Sequence, residues 1–171
     1  MNFYYKIFVL VVSILNFTTC GYSIYKSEEF KSTNIKSINV VAFDNKTDEP
    51  KLDLLITDYT IKELINHSSL VVTSKESADS ILRGYITKYK LRPASIGSDN
   101  MATSYILTIS ISFTLEDNQS KELISSQRLV ETETYSVTSD ISQSEIAKES
   151  AKDRVGRLIA RRLVDTLLNP L

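Results

Sequence analysis

The sequence is poor in the residue types from which most catalytic and metal sites are built. Its 171 residues include one cysteine, one histidine, four glycines and no tryptophan. A single cysteine excludes an intramolecular disulfide and a cysteine-based metal site, and the lone histidine has no second His with which to bind zinc. The glycines are too widely separated to form a phosphate-binding loop. These absences argue against an enzyme and against any cofactor.

Charge gives no sign of nucleic-acid binding. The chain has 20 Lys and Arg against 21 Asp and Glu, a formal net charge of −1, and no block of like charge. The acidic residues are scattered, with no pair spaced for general acid–base chemistry. His67 follows the first predicted helix and is interpreted as a capping or surface residue. A hydrolase with an atypical site remains the one enzymatic alternative.

The only cysteine follows directly on an apolar N-terminal run, "MNFYYKIFVLVVSILNFTTC". Residues 7–15 are too short an apolar stretch for a comfortable membrane-spanning helix, and Lys6 precedes them, so a signal peptide is the better interpretation. Small Thr18 and Thr19 then lead to Cys20. This order resembles a bacterial lipoprotein signal, in which the cysteine is acylated and becomes the new N-terminus.

This leader predicts a lipid-anchored protein on the periplasmic side of the outer membrane. The several acyl chains of a lipoprotein cysteine bind a bilayer durably, and Gly21 replaces the Asp that marks inner-membrane retention in enteric bacteria. Phe17 and Thr19 differ from the usual residues before such a cysteine. The alternatives are a secretory signal with a chance cysteine, or an uncleaved anchor helix.

The chain divides into three predicted parts: a lipoprotein signal peptide at 1–19, the lipidated cysteine with an extended tether at 20–34, and a single α+β domain at 35–171. About 150 residues remain after the leader, enough for one hydrophobic core.

Hydrophobic periodicity predicts the elements of this domain. "IKSINVVAF" is typical of a strand. A helix over 51–66 follows, capped by Asp48 or Thr47, and then a short strand at 70–72. The apolar stripe of the helix is predicted to be Leu54, Thr57, Ile61, Leu64 and Ile65.

Three longer strands and a helix complete the predicted domain. The strands cover about 80–90, 104–117 and 123–137, and the first two flank a long loop at 93–103. In "SYILTISISFTLED" apolar residues alternate with Ser and Thr, which predicts one dry and one polar sheet face.

The last helix is predicted to begin with a capping box at Ser142 and Glu145 and to end near Leu168. Its apolar stripe is predicted to be Ala147, Ala151, Val155, Leu158 and Leu167. Its arginines, Arg154, Arg157, Arg161 and Arg162, are expected on the solvent face, or else as rim contacts with a partner.

The predicted architecture is an α+β two-layer sandwich, with one mixed or antiparallel sheet of about four strands packed against two helices. The opposite sheet face stays polar and open to a partner or to water.

Several motifs together resemble the lipopolysaccharide-assembly lipoprotein family, LptE, over nearly the whole chain. One set is Cys20, Gly21 and Tyr22, and a second is Phe43, Asn45, Glu49 and Pro50 around a strand end. A third set comprises Ala78, Asp79, Leu82 and Gly84, and Tyr135 lies in the last strand.

The resemblance implies a plug subunit inside a large outer-membrane β-barrel that passes lipopolysaccharide outward. Since lipopolysaccharide carries phosphates, direct contacts should use Lys or Arg. The candidates are Lys88, Lys90, Arg92, Lys121 and Arg128. Their alternative interpretation is a solvated strand edge where lysines discourage aggregation. An alternative function is a periplasmic ligand-binding or accessory lipoprotein of another envelope transport system.

Overall fold

The computed structural model describes residues 35–169, which form one sheet and two helices. The helices are α1, Leu52–His67, and α2, Ile141–Leu168. The strands are β1 Ser37–Val40, β2 Asp44–Asn45, β3 Val71–Val72, β4 Ser80–Ile96, β5 Ala102–Asp117 and β6 Leu123–Ser136. The predicted signal peptide, Cys20 and the tether lie outside the described residues. Within residues 35–169 neither helix has the length and apolar character needed to cross a bilayer.

The sheet is mixed, with the strand order β3-β1-β4-β5-β6. β1 runs parallel to both β3 and β4, whereas β4, β5 and β6 are antiparallel neighbours. β2 pairs in parallel with β4 just beyond the end of β1, at Tyr85 and Ile86. Both helices pack on one sheet face, so the predicted α+β sandwich is confirmed. Only four of the six strands exceed two residues.

The inner face of β5 follows the predicted alternation. Its core positions are Leu107, Ile109, Ile111, Phe113 and Leu115, all at most 4% exposed. They join α1 and α2 side chains in one hydrophobic cluster. Burial of such side chains is the main source of stability for a domain of this size.

The helices bury only part of each predicted stripe, namely Leu64 of α1 and Ala151 and Val155 of α2. α1 buries Leu52, Ile56, Thr60 and Leu64, while the predicted Leu54 and Ile65 are more than 60% exposed. α2 buries Ala151, Val155, Gly156, Ile159, Ala160, Leu163 and Val164, and the predicted Leu158 is 41% exposed. Each helix carries two apolar rows, and contact with the sheet decides which of them is covered.

A β-bulge in β4 changes which of its side chains face inward. Ile86 pairs with Ile111, but Lys88 pairs with the next residue, Ser110, so that Thr87 is an extra residue. The inward row therefore passes from Ile86 to Tyr89, and Lys88 lies on the outer face. Continuous alternation, as predicted from sequence, puts Lys88 in the row of Ile86 and is wrong beyond this point.

The connection between β4 and β5 is shorter than predicted. Pro93, Ala94 and Ser95 continue β4, so the turn comprises only residues 97–101. Two register shifts near this end, at Pro93/Ser95 and Ser95/Ile96, accommodate the proline within the ladder. The predicted loop at 93–103 is therefore mostly strand.

Both predicted helix caps are also wrong. α1 begins after Lys51, which has a φ of 63° and no side-chain cap, so neither Asp48 nor Thr47 serves. α2 begins two residues before its predicted start. The Asp140 carboxylate accepts hydrogen bonds from the backbone N–H groups of Ser142 and Gln143, at 2.8 and 3.2 Å.

Candidate functional site

Gly84 and Phe43, two of the motif residues, form a packing pair. A Cβ on Gly84 would lie 2.1 to 2.5 Å from three carbons of the Phe43 ring. The ring itself is only 2% exposed and belongs to the core cluster. The glycine is therefore needed because the ring lies directly against the backbone of β4, and this pair holds the segment after β1 on the sheet.

Asn45 and Glu49 organise the chain between β2 and α1. The Asn45 side chain donates to the carbonyl of Glu49 at 2.7 Å and accepts from Thr47 N–H at 3.0 Å. The Glu49 carboxylate forms an ion pair with Lys152 of α2 at 2.8 Å, with both side chains mostly buried. These motif residues connect the loop before α1 to α2.

Asp79 binds the start of β1 to the start of β4. Its carboxylate accepts hydrogen bonds from the backbone N–H of Lys36 and of Ser37, and from the Ser37 hydroxyl, at 2.8 to 3.0 Å. These bonds, with that of the Ser37 hydroxyl the strongest, lower the pKa of Asp79 below its ordinary value of 3.8. The contribution of Asp79 to stability is thus present at neutral pH and declines as the pH falls through this lowered pKa.

Tyr135 belongs to a group of three tyrosines on the inner sheet face. Its ring stacks on that of Tyr105, with 6.0 Å between centroids, and it is 7% exposed. Burial raises the pKa of Tyr135 and, more strongly, that of Tyr89. Six of the motif residues therefore have a structural role: Phe43, Asn45, Glu49, Asp79, Gly84 and Tyr135.

Three of the four α2 arginines are held in ion pairs within the domain. Arg154 pairs with Glu133 and Arg162 with Glu131, at 2.7 and 2.6 Å, which links α2 to β6. Arg157 pairs with Asp153 at 2.5 Å and lies 5.5 Å from the centre of the Tyr59 ring on α1. These three arginines therefore form ion pairs on the surface of the domain, which agrees with the expectation that they lie on the solvent face of α2.

The outer sheet face is the surface that neither helix covers. Its β5 and β6 positions, identified by register, are largely hydroxyl-bearing, and those at least partly exposed are Ser104, Thr108, Ser112, Thr114, Ser126, Thr132, Thr134 and Ser136. Ser110 shares this face by register but is only 1% exposed. Among the β4, β5 and β6 positions of this face the only acidic side chain is Glu116, which pairs with Arg83 at 3.5 Å. The face is therefore polar and, where it is charged, mostly positive.

Three of the predicted phosphate-contact residues form a column on this face. Lys88, Lys90 and Arg92 alternate along β4, opposite Ser110, Thr108 and Ile106, and all three are exposed. None of them forms an ion pair with another residue of the described part of the chain. We call Lys88, Lys90 and Arg92 the cation column. Lys88 and Lys90 lie within a strand, as predicted, and the strand continues through Arg92 to Ile96.

The other two candidates have different positions. Arg128 lies on the outer face of β6, opposite Ser112, and so shares the surface of the cation column. Lys121 lies in the turn before β6, where its ammonium donates to the Asn118 side chain at 2.8 Å. Asp117, beside this turn, pairs with Ser80 at the start of β4, so Lys121 lies at the opposite end of the sheet from Arg92.

A groove of about 570 Å³ lies between α1 and α2. Tyr59, His67, Arg157 and Arg161 line it, among others. The Tyr59 hydroxyl donates to Asp153, and Arg157 contacts both groups. No three His, Cys, Asp or Glu side chains come together in residues 35–169 to hold a metal ion. Tyr59 of α1 is thus joined to Asp153 and Arg157 of α2.

Comparison with known proteins identifies the family to which the chain belongs. The model of the lipopolysaccharide-assembly family LptE matches residues 35–171. The chain belongs to the LptE family. The match covers the whole α+β domain, and it confirms the resemblance drawn from the motifs. The protein is accordingly an envelope lipoprotein of the lipopolysaccharide-assembly type.

Solved structures share the fold at low sequence identity. A protein from Xanthomonas campestris has a TM-score of 0.59 and 11% identity, over 77% of this chain and 84% of its own. Rare lipoprotein B from Shewanella oneidensis has a TM-score of 0.55 and 15% identity, over 76% and 93%. Uncharacterized lipoprotein B from Nitrosomonas europaea has a TM-score of 0.51 and 12% identity, over 75% and 82%. No curated protein sequence matches the chain.

Proposed function

We propose that this LptE-family protein is an outer-membrane lipoprotein that assembles with, and plugs, the β-barrel translocon for lipopolysaccharide. The observation that carries the proposal is the outer sheet face, which neither α1 nor α2 covers and which displays hydroxyls beside the cation column, whose side chains form no ion pair within residues 35–169. The role is one of assembly and passage, without catalysis.

A hydroxyl-rich face suits the interior of a barrel. The lumen of a large outer-membrane barrel is polar, so a subunit that fills it needs hydrogen-bonding side chains rather than an apolar patch. The Ser and Thr side chains on β5 and β6 provide donors and acceptors without net charge. We expect this half of the outer face to meet the barrel wall, and the β4 half to meet the transported glycolipid.

Co-purification tests the partner. Full-length tagged protein, gently extracted from outer membranes, is expected to bring down one large β-barrel protein in a stoichiometric, detergent-stable complex. Thr132→Trp, an exposed position on the outer face, should reduce the yield of complex severalfold. Ser69→Trp, exposed in the loop after α1, should leave it unchanged. Recovery of the wild-type protein alone would reject the plug role in favour of a ligand-binding or accessory lipoprotein of another transport system.

Lipidation at Cys20 anchors the domain in this proposal and raises its local concentration beside the barrel. Cys20→Ala is expected to abolish fatty-acid labelling and to release the protein into the soluble periplasmic fraction. Mass spectrometry of the wild-type chain should find acyl groups on Cys20. An unmodified thiol on a mature, freely soluble wild-type chain would contradict the anchor.

The cation column is the proposed contact with lipopolysaccharide, with Arg128 on the same face. Lysine ammonium and arginine guanidinium groups form charge-assisted hydrogen bonds to phosphate. Lys88, Lys90 and Arg92 have no acidic neighbour on β5 that would compete, since their partners there are Ser110, Thr108 and Ile106. Lys121 is less suited, because its ammonium is already bound to Asn118 within its own turn.

A further inference from the structure

The turn between β4 and β5 presents two large apolar side chains to solvent. Ile96 is 65% exposed and Met101 is 68% exposed. The turn is held by hydrogen bonds from Gly97 N–H to the Met101 carbonyl at 2.8 Å and from Asn100 N–H to the Gly97 carbonyl at 3.1 Å. The Asp99 carboxylate also accepts from Met101 N–H at 3.1 Å. The two apolar side chains are therefore carried by an ordered turn.

The start of α2 adds a third apolar side chain at the same end of the sheet. Val137 N–H donates to the Thr103 carbonyl at 3.0 Å, which fixes the end of β6 beside the start of β5. Ile141, the first residue of α2, follows four residues later and is 86% exposed. We call Ile96, Met101 and Ile141 the distal tip. Isolated exposed apolar residues are ordinary, but these three occur together at one end of the fold.

The distal tip begins where the cation column ends. Ile96 follows Arg92 by four residues of β4, about 13 Å along an extended strand. From Pro93 to Leu115 the chain contains no Lys or Arg. One end of the sheet thus offers cations and then apolar side chains in sequence. A ligand with phosphates at one end and hydrocarbon chains at the other is complementary to this order.

The distal tip lies at the end of the sheet opposite to the first described residues of β1. β1, near the start of the described chain, pairs with the first residues of β4, Ile38 opposite Ser80. The distal tip lies at the far end of β4, about 50 Å away for a strand of this length.

We propose that the distal tip binds the acyl chains of the same glycolipid molecule whose phosphates contact the cation column. This inference rests on the proposed function, in which the transported molecule is lipopolysaccharide. It adds an apolar subsite to the phosphate contact. The phosphates of the glycolipid would then bind the cation column, and its acyl chains would bind the distal tip at the end of the same strand.

Binding of two probes tests the subsite. The full-length protein in mild detergent would be titrated with fluorescent lipopolysaccharide and with its deacylated form, which keeps sugars and phosphates. We expect Ile96→Gln combined with Met101→Gln to weaken binding of intact lipopolysaccharide about tenfold, because exposed hydrocarbon contacts are lost. Binding of the deacylated form should stay at the wild-type level.

Leu123→Gln is the matched control. Leu123 is 61% exposed in the other half of the sheet, at the start of β6, and its substitution should change neither affinity. Equal binding of intact lipopolysaccharide by the distal-tip variant and the wild type would overturn the subsite. An equal loss of affinity for both probes would also overturn the subsite. So would binding of neutral phosphatidylcholine vesicles that depends on the distal tip and explains the difference between the two probes. A distal-tip variant that loses a protein partner but keeps its affinity for lipopolysaccharide would overturn it as well.

Failure of the subsite and failure of the proposed function give different results. If the wild type binds neither probe, or if charge reversal of the cation column leaves both affinities unchanged, the glycolipid contact itself is wrong. If charge reversal weakens both probes while the distal-tip variant weakens neither, only the acyl subsite is wrong.

Discussion

Gly84→Ala is expected to lower the free energy of unfolding by about 3 kcal/mol and the melting temperature by about 10 °C. The added methyl group would lie as close as 2.1 Å to the ring of Phe43, far inside van der Waals contact. Because Phe43 is buried in the core cluster, its ring cannot move aside without displacing neighbours. Chemical denaturation monitored by circular dichroism would measure the loss.

Two further variants identify the cause of this loss. Phe43→Leu combined with Gly84→Ala should be less destabilised than the sum of the single variants, because the smaller side chain makes room for the methyl group. Gly97→Ala is the control, since a Cβ there comes no closer than 2.9 Å to another group, the Asp99 carboxylate in an exposed turn. A Gly84→Ala protein as stable as the wild type would refute the packing account.

Reversal of the cation column, with Lys88, Lys90 and Arg92 all changed to Glu, is expected to reduce lipopolysaccharide affinity by about 10- to 100-fold. Loss of one or two charge-assisted contacts of about 1.5 kcal/mol each produces a change of this size. All three side chains are exposed on the outer face, so the melting temperature should remain within a few degrees of the wild type. Fluorescence titration of the full-length protein would measure the affinity.

The control for net charge reverses three exposed cations on other surfaces. Lys62 lies on α1, Lys75 in the loop before β4, and Arg161 on α2. Their change to Glu alters the net charge by the same amount as the cation-column variant. If this control weakens binding equally, attraction is nonspecific and the cation column has no special role. If the cation-column variant binds normally but aggregates, its lysines protect the open edge of β4, as the alternative interpretation requires.

The sequence predicts β5 correctly because a single strand with one buried face carries its own pattern. Leu107, Ile109 and Ile111 alternate with Thr108 and Ser110, and no insertion interrupts them. β4 shows why alternation can fail. A bulge at Thr87 arises from pairing with β5. Nothing within the strand marks it, so simple alternation places the wrong residues in the inward row beyond it.

The helix stripes show a similar limit. α1 has apolar residues on more than one side, among them Leu52, Ile56 and Leu64 on the covered row and Leu54 and Ile65 on the exposed one. Periodicity establishes that the segment is an amphipathic helix. It does not establish which row meets the sheet, because that depends on where β2 and β3 hold the ends of the helix.

The motif residues were recognised from sequence, but their roles were not. Gly84, Asp79 and Glu49 are far apart along the chain from Phe43, Ser37 and Lys152, the residues that they contact. A family resemblance can identify such positions from the sequence, but it does not show the contacts that explain why these residues are needed. The structure shows that they maintain the fold, and this leaves the outer face as the surface available for binding.

The sequence by itself determined the α+β class, the poverty in catalytic side chains, the alternation of β5 and the membership in a lipopolysaccharide-assembly family. These properties are local or compositional, and they do not depend on which strands become neighbours. Only the tertiary structure decided that Lys88, Lys90 and Arg92 share the outer face, that Lys121 lies far from them, and that an apolar tip follows. The physical reason is that the pairing of β4 with β5 introduces the bulge at Thr87, and that bulge determines which side chains meet on one surface.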